Sequence, residues 1–164
     1  MTTTGPDLSV GAAAQADLAF LLEHAGHVLT TELTARLAEL GISQRGYCVL
    51  SKAVSGDHTQ IQLAERCQMD KTTMVITLDA LEKDGLVERT PSPTDRRARL
   101  VGLTDKGLET QVKAKRVVVG VYRDVLGSLP EDERHGLVNG LIRLVDDRLS
   151  TPVECERQPR RRRK

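Results

Sequence analysis

The chain has 164 residues, 39% of them hydrophobic and 29% charged, the size and balance of one soluble globular domain. No apolar run approaches the roughly 20 residues of a membrane span, and residues 1–7 lack the basic and apolar regions of a secretory signal, so a cytoplasmic location is expected. Of 24 Lys and Arg, six lie in the last eight positions; that leaves 18 basic against 23 acidic residues over 1–156, a net −5 there. Nucleic-acid binding by bulk charge is thereby excluded, and any such contact has to come from a local patch or from the tail. Three cysteines (48, 67 and 155) with no CxxC spacing argue against a disulfide framework and a zinc knuckle. Three aromatics and no Trp require an aliphatic core.

Residues 12–40 read as one long helix, with Leu18, Leu22, Ala25, Leu29, Leu33, Leu37 and Leu40 advancing by three or four and Gly41 as the stop. Ser43 can cap a shorter helix whose apolar face carries Tyr47, Leu50 and Val54, followed by a turn at 55–58. Thr59 and Gln62 have the spacing of a capping box opening a helix of two turns. Asp70 is the next N-cap, and Met74, Leu78 and Leu81 stripe a helix that reaches Gly85.

The period then changes. Leu86–Thr90 and Arg99–Leu103 are short β-prone segments around the polar, proline-containing loop 91–98, a β-hairpin with a basic tip. Thr104 caps a helix from Asp105 to about Leu126, with Leu108, Val112, Val119, Tyr122 and Leu126 available for burial. Pro130 opens a last helix striped by Leu137, Leu141, Leu144 and Val145. The compositions of 1–11 and of the basic tail 151–164 read as disorder.

A short helix, a tight turn, a second helix and a hairpin with a basic tip make a winged helix-turn-helix. The fold class expected is mainly α with a small β-hairpin wing. In such a fold the helix from Asp70 enters the major groove, and the hairpin tip reaches the adjacent minor groove, where Arg suits the narrow electronegative cleft of A·T-rich DNA.

These residues resemble the MarR family of bacterial transcriptional regulators. Asp95 to Thr104 fits the family's D-x-R-x5-L-T wing signature, and Leu63-Ala64-Glu65, Asp70–Met74 and Leu81–Arg89 are similar to its helix-turn-helix. The resemblance spans 12–150 as a single domain, with 43–103 as the winged helix-turn-helix and 12–40 and 104–150 as dimerisation helices. It implies a homodimer on a pseudo-palindromic operator, usually a repressor, often released by a small ligand or an oxidant. Arg97 would enter the minor groove, Arg96 would lie near phosphate, and Asp95 would brace the wing by pairing with an arginine. Lys71 would meet a phosphate, and Thr72 and Thr73 phosphates or base edges. Val75 and Ile76 stand where the family often has a polar residue and an Arg. They can meet thymine methyls but cannot make the bidentate guanine contact, so readout leans on DNA shape. Gln68 stands where the turn usually has Gly, which strains the turn if a left-handed residue is needed.

Family ligands commonly occupy a crevice near the first, second and fifth helices, which makes His24, His27, Tyr47 and Cys48 candidate liners of an effector pocket. His24 and His27 share a helix face, but no third ligand joins them, and neither a metal nor a cofactor is expected. Cys48 reads as a small buried hydrophobe, while Cys67 lies at the helix-turn-helix turn, where oxidation would alter DNA binding. No P-loop, dinucleotide fingerprint or HExxH occurs, and no nucleophile signature supports an enzyme. The alternatives are a winged-helix protein-interaction module and a thiol-based redox sensor; an interaction module has no need of Asp95-Arg96-Arg97.

Overall fold

A computed structural model describes residues 17–93, 95 and 98–151. Expectations for residues 1–16, Arg96, Arg97 and the tail beyond 151 lie outside the described residues. Two compact units divide the chain after Val121.

In the first unit, helix α1 (Leu18–Ala38) starts at Asp17, whose carboxylate accepts the Phe20 N–H at 3.0 Å. Of its leucine stripe, only Leu33 and Leu37 are buried; Leu18 and Leu22 are exposed. Gly41 turns the chain at a positive φ of 72°. Ser43 then caps α2 (Gln44–Lys52), its Oγ accepting the Gly46 N–H at 3.0 Å. Val49 and Leu50 are buried and Tyr47 is half-buried. The expected third member of that face, Val54, is exposed, because the helix stops at Ala53 before the next turn can carry Val54 inward.

The capping box forms as the spacing predicts. The Thr59 N–H donates to Gln62 Oε1 at 2.8 Å, the Gln62 N–H donates back to Thr59 Oγ at 3.3 Å, and α3 (Gln60–Arg66) follows. Cys67 is the α3 C-cap, and Gln68 takes a φ of 51°, the left-handed turn position that the sequence suggests. Helix α4 (Lys71–Lys83) buries Met74, Thr77, Leu78 and Leu81.

Strands β2 (Val87–Pro91) and β3 (Arg99–Leu103) pair antiparallel from Val87↔Leu103 to Pro91↔Arg99. They are joined by a strand absent from the sequence reading. β1 (His58–Thr59) pairs with Val101 and Leu100, so the hairpin belongs to a three-stranded sheet of order β1-β3-β2. Two residues are too few to show an alternating pattern.

Helix α5 (Asp105–Gly127) corrects the expected burial face. Its buried residues are Gly107, Ala114, Val118 and Val121, whereas Leu108, Val112, Val119 and Tyr122 are exposed and Leu126 is half-buried. Small side chains face the core because the helix approaches it closely, and the larger ones form a second, outer stripe. The core itself is aliphatic: Leu37, Val49, Leu50, Leu63, Met74, Leu78 and Val101 are its largest fully buried side chains.

The second unit holds the end of α5, a turn at 128–130 and α6 (Glu131–Asp146) after Pro130. The Arg134 guanidinium donates to the Leu129 carbonyl at 2.9 Å and closes that turn. No described residue of α6 is buried, and Leu137, Leu141, Ile142 and Val145 stand exposed.

Candidate nucleic-acid interface

Helix α4 begins with a local network. Asp70 accepts the Thr73 N–H at 2.9 Å on Oδ1 and the Thr73 hydroxyl at 2.6 Å on Oδ2. These bonds, the hydroxyl one first, hold the Asp70 carboxyl below the usual carboxylate range, which keeps it ionised at the positive end of the helix. Thr73 is therefore a capping partner whose hydroxyl proton is already committed. Outward it offers only an acceptor. Lys71 and Thr72 are exposed beside it, Val75 is half-buried, and Ile76 is 64% exposed. The outer face of the first two turns thus carries one cation, hydroxyls and two branched apolar side chains.

The wing is held against this helix by an arginine that the sequence reading did not single out. Arg89 of β2 donates through Nη2 to Asp79 at 2.5 Å and reaches Glu82 through Nη1 at 3.4 Å. Its side chain is only 20% exposed. The pair fixes the strand to the flank of α4 and places one guanidinium charge between two carboxylates. Ten residues separate Arg89 from Asp79, and no helical spacing links a strand to a helix, so no local signal exists to find it. The loop base is closed by the Ser92 N–H on the Ala98 carbonyl (3.0 Å) and the Ala98 N–H on the Asp95 carbonyl (3.0 Å). The Asp95 N–H also donates to Ser92 Oγ at 3.3 Å. Asp95 thus shapes the tip through its main chain, while Arg96 and Arg97 lie outside the described residues.

A cleft of about 610 Å³ opens between the start of α3 and the wing, lined by Thr59, Gln62, Arg89, Asp95 and Arg99 among others. A smaller one, about 300 Å³, separates α3 from the start of α4 and is lined by Ile61, Met69, Lys71 and Met74 among others. The candidate effector liners stand apart from both: His24 and His27 are exposed on α1, and Tyr47 and Cys48 are half-buried on α2. Among the described residues, no group of three or more His, Cys, Asp or Glu is placed to hold a metal ion, and no helix is long and apolar enough to cross a membrane.

The MarR family model matches residues 53–98, from the end of α2 through the wing loop. The transcriptional repressor CouR bound to a 23-mer DNA duplex is 29% identical with a TM-score of 0.73, covering 85% of this chain and 99% of that one. Over its helix-turn-helix and wing the chain matches the MarR family, and over most of its length its fold is that of MarR-family regulators. A mutant MarR from E. coli complexed with operator DNA superposes with a TM-score of 0.72 at 25% identity, over 80% of this chain and 96% of that one. CouR from Rhodococcus jostii bound to p-coumaroyl-CoA is 27% identical with a TM-score of 0.71, over 87% of this chain and 97% of that one. In MarR terms, α3, the Cys67–Asp70 turn and α4 are the helix-turn-helix, and β2 and β3 are the wing.

Proposed function

We propose that this chain is a transcriptional regulator of the repressor type that binds a pseudo-palindromic operator as a homodimer, not an enzyme, and acts on DNA in the cytoplasm. The observation that carries it is the coupling of α4 to the wing through Arg89, Asp79 and Glu82, which presents helix and hairpin as one rigid reading head. Lys71 neutralises a phosphate, Thr72 and the acceptor face of Thr73 meet backbone or base edges, and Val75 and Ile76 pack on thymine methyls. Arg97 enters the minor groove, Arg96 meets phosphate, and Asp95 braces the tip.

Two copies are needed because one helix-turn-helix spans too few base pairs for useful specificity. The exposed stripes of α1, α5 and α6 (Leu18 and Leu22; Leu108 and Val119; Leu137 and Leu141) supply apolar surface for the second copy. The dimerisation region is thus 12–40 with 104–150, around a winged helix-turn-helix of 43–103. Solved relatives carry p-coumaroyl-CoA or p-aminosalicylic acid, which supports a small-molecule effector here, with His24, His27, Tyr47 and Cys48 as its candidate liners. Selection of bound fragments from random duplex DNA tests the reading. An inverted repeat with half-site centres one helical turn apart is the expected product, and no enrichment over the input pool would refute it.

A further inference from the structure

We infer that Arg99, with Gln62 on the other wall of the cleft between the wing and α3, seats a backbone phosphate of DNA at the rim of the minor groove. The inference rests on the DNA-binding reading above and adds to it a contact outside the wing signature, for Arg99 falls among the five open positions of D-x-R-x5-L-T.

Two described arginines line this cleft, and they are not equivalent. Arg89 is committed: its guanidinium holds Asp79 and Glu82, and its side chain is mostly buried. Arg99 is exposed and, among the described residues, has neither an ion pair nor a hydrogen bond. Such a guanidinium keeps all its N–H donors and its whole charge for a ligand.

The α3 wall presents a donor as well. Gln62 Oε1 accepts twice, from the Thr59 N–H at 2.8 Å and from the Thr59 hydroxyl at 3.1 Å. Its carbonyl is thus occupied by the helix cap, and what this exposed side chain still turns outward is an NH2 group. A cation without a partner and an amide donor on facing walls suit an anion. Asp95 is the one carboxylate among the described lining residues, but over 95–99 it stands against Arg96, Arg97 and Arg99, so the wing stays net positive.

Register places the cation. Arg99 pairs with Pro91 in the last rung of the hairpin, on the ladder and not in the tip. Arg97 precedes it by two residues, a span of at most about 7 Å. The minor groove is about 6 Å wide. With Arg97 in that groove, as proposed above, a cation so close stands at its edge, where the phosphates are. A charge-assisted bond to one of them fixes how deep the wing sits and carries no base information.

The test uses the full chain and a duplex that it selects from random DNA. Arg99→Gln should lower affinity about tenfold for that duplex and for an unrelated one alike. It should also reduce the slope of log K against log salt by about 0.9, the share of one phosphate. Arg99→Lys, which keeps the charge, should restore the slope. A methylphosphonate scan, which neutralises one phosphate at a time, should find a position beside the wing that weakens the wild type and leaves Arg99→Gln unaffected. Gln62→Glu keeps the capping box but loses the donor, so affinity should fall with helix content unchanged. An unchanged slope in Arg99→Gln, or no phosphate whose neutralisation that variant masks, overturns the site. Unchanged affinity in Gln62→Glu overturns the part given to Gln62. Inorganic phosphate that competes with DNA on the wild type but not on Arg99→Gln, at constant ionic strength and with the slope unchanged, assigns Arg99 to a free anion and overturns the DNA contact. A wild-type chain that selects no duplex overturns the DNA-binding reading and the site together.

Discussion

Gly107 on α5 sits directly against the main-chain carbonyl of Leu86: a β-carbon at 107 would come 1.9 Å from that oxygen. The same carbonyl accepts the Thr104 N–H at 3.2 Å. Since the obstacle is backbone, no side-chain rotation relieves it. Gly107→Ala should therefore destabilise the fold by about 3 kcal/mol, the upper range for overpacking, read as a lowered urea midpoint at unchanged slope. Gly120→Ala, with open space around it, is the control and should leave stability unchanged or slightly raised.

The Arg89–Asp79 pair can be isolated by a double-mutant cycle. With Asp79 more than half exposed, the coupling energy should be about 0.5–1 kcal/mol in stability. In DNA binding Arg89→Ala should cost more than it does in folding, because the angle between wing and helix is lost with it. Equal losses in both assays would mean that Arg89 only stabilises the fold.

At the wing tip, Arg97→Ala should weaken operator binding by about 1–3 kcal/mol with helicity unchanged by circular dichroism. Ile76→Ala should relax preference at one base step more than it lowers overall affinity, since a methyl–methyl contact reads thymine without anchoring phosphate. Fluorescence anisotropy on matched and single-substituted duplexes distinguishes the two effects.

Leu137→Glu combined with Leu141→Glu places two charges on the exposed α6 stripe. Sedimentation should then show a monomer, and operator affinity should fall about 10³-fold, to the non-specific level, although both reading heads remain folded. In the unmodified dimer the two α4 helices should lie about 34–36 Å apart. Inserting five base pairs between half-sites, which turns one by half a rotation, should abolish tight binding.

Alkylation of Cys48 by iodoacetamide should rise with pH about a midpoint near 7, since only the thiolate reacts. Cys67→Ala removes the S–H that donates to it and should move the midpoint up toward the ordinary thiol value of 9.0. A midpoint unaffected by that change would mean that the Cys67 hydrogen bond does not hold the thiolate.

What the sequence made legible is what is local. Capping at Ser43, Thr59, Asp70 and Thr104 depends on residues within a turn of one another, and each cap is found where the spacing places it; the wing strands are read from β-prone composition on either side of a polar loop, and β2 lies one residue later than expected. The features missed are long-range. β1 is defined only by its partner β3, and Arg89 meets α4 across ten residues. On α5 a count of large apolar residues selects the outer face, because the inner one is made of Gly, Ala and Val. Hydrophobic size is a poor guide wherever two backbones approach closely.

The beginning of α5 is tied to the end of α4. Thr104 Oγ donates to the Gly85 carbonyl at 2.7 Å, and Lys106 Nζ donates to the carbonyl of Asp84, the α4 C-cap, also at 2.7 Å. With Gly107 seated on Leu86, the joint has three fastenings within four residues and almost no play. A tilt of α5 about that joint would be delivered to the far end of α4 as torque, swinging its first turn through an arc while Lys71 and Thr72 keep their places on the helix. Mechanically, α4 is the short arm of a crank whose long arm is a 23-residue helix.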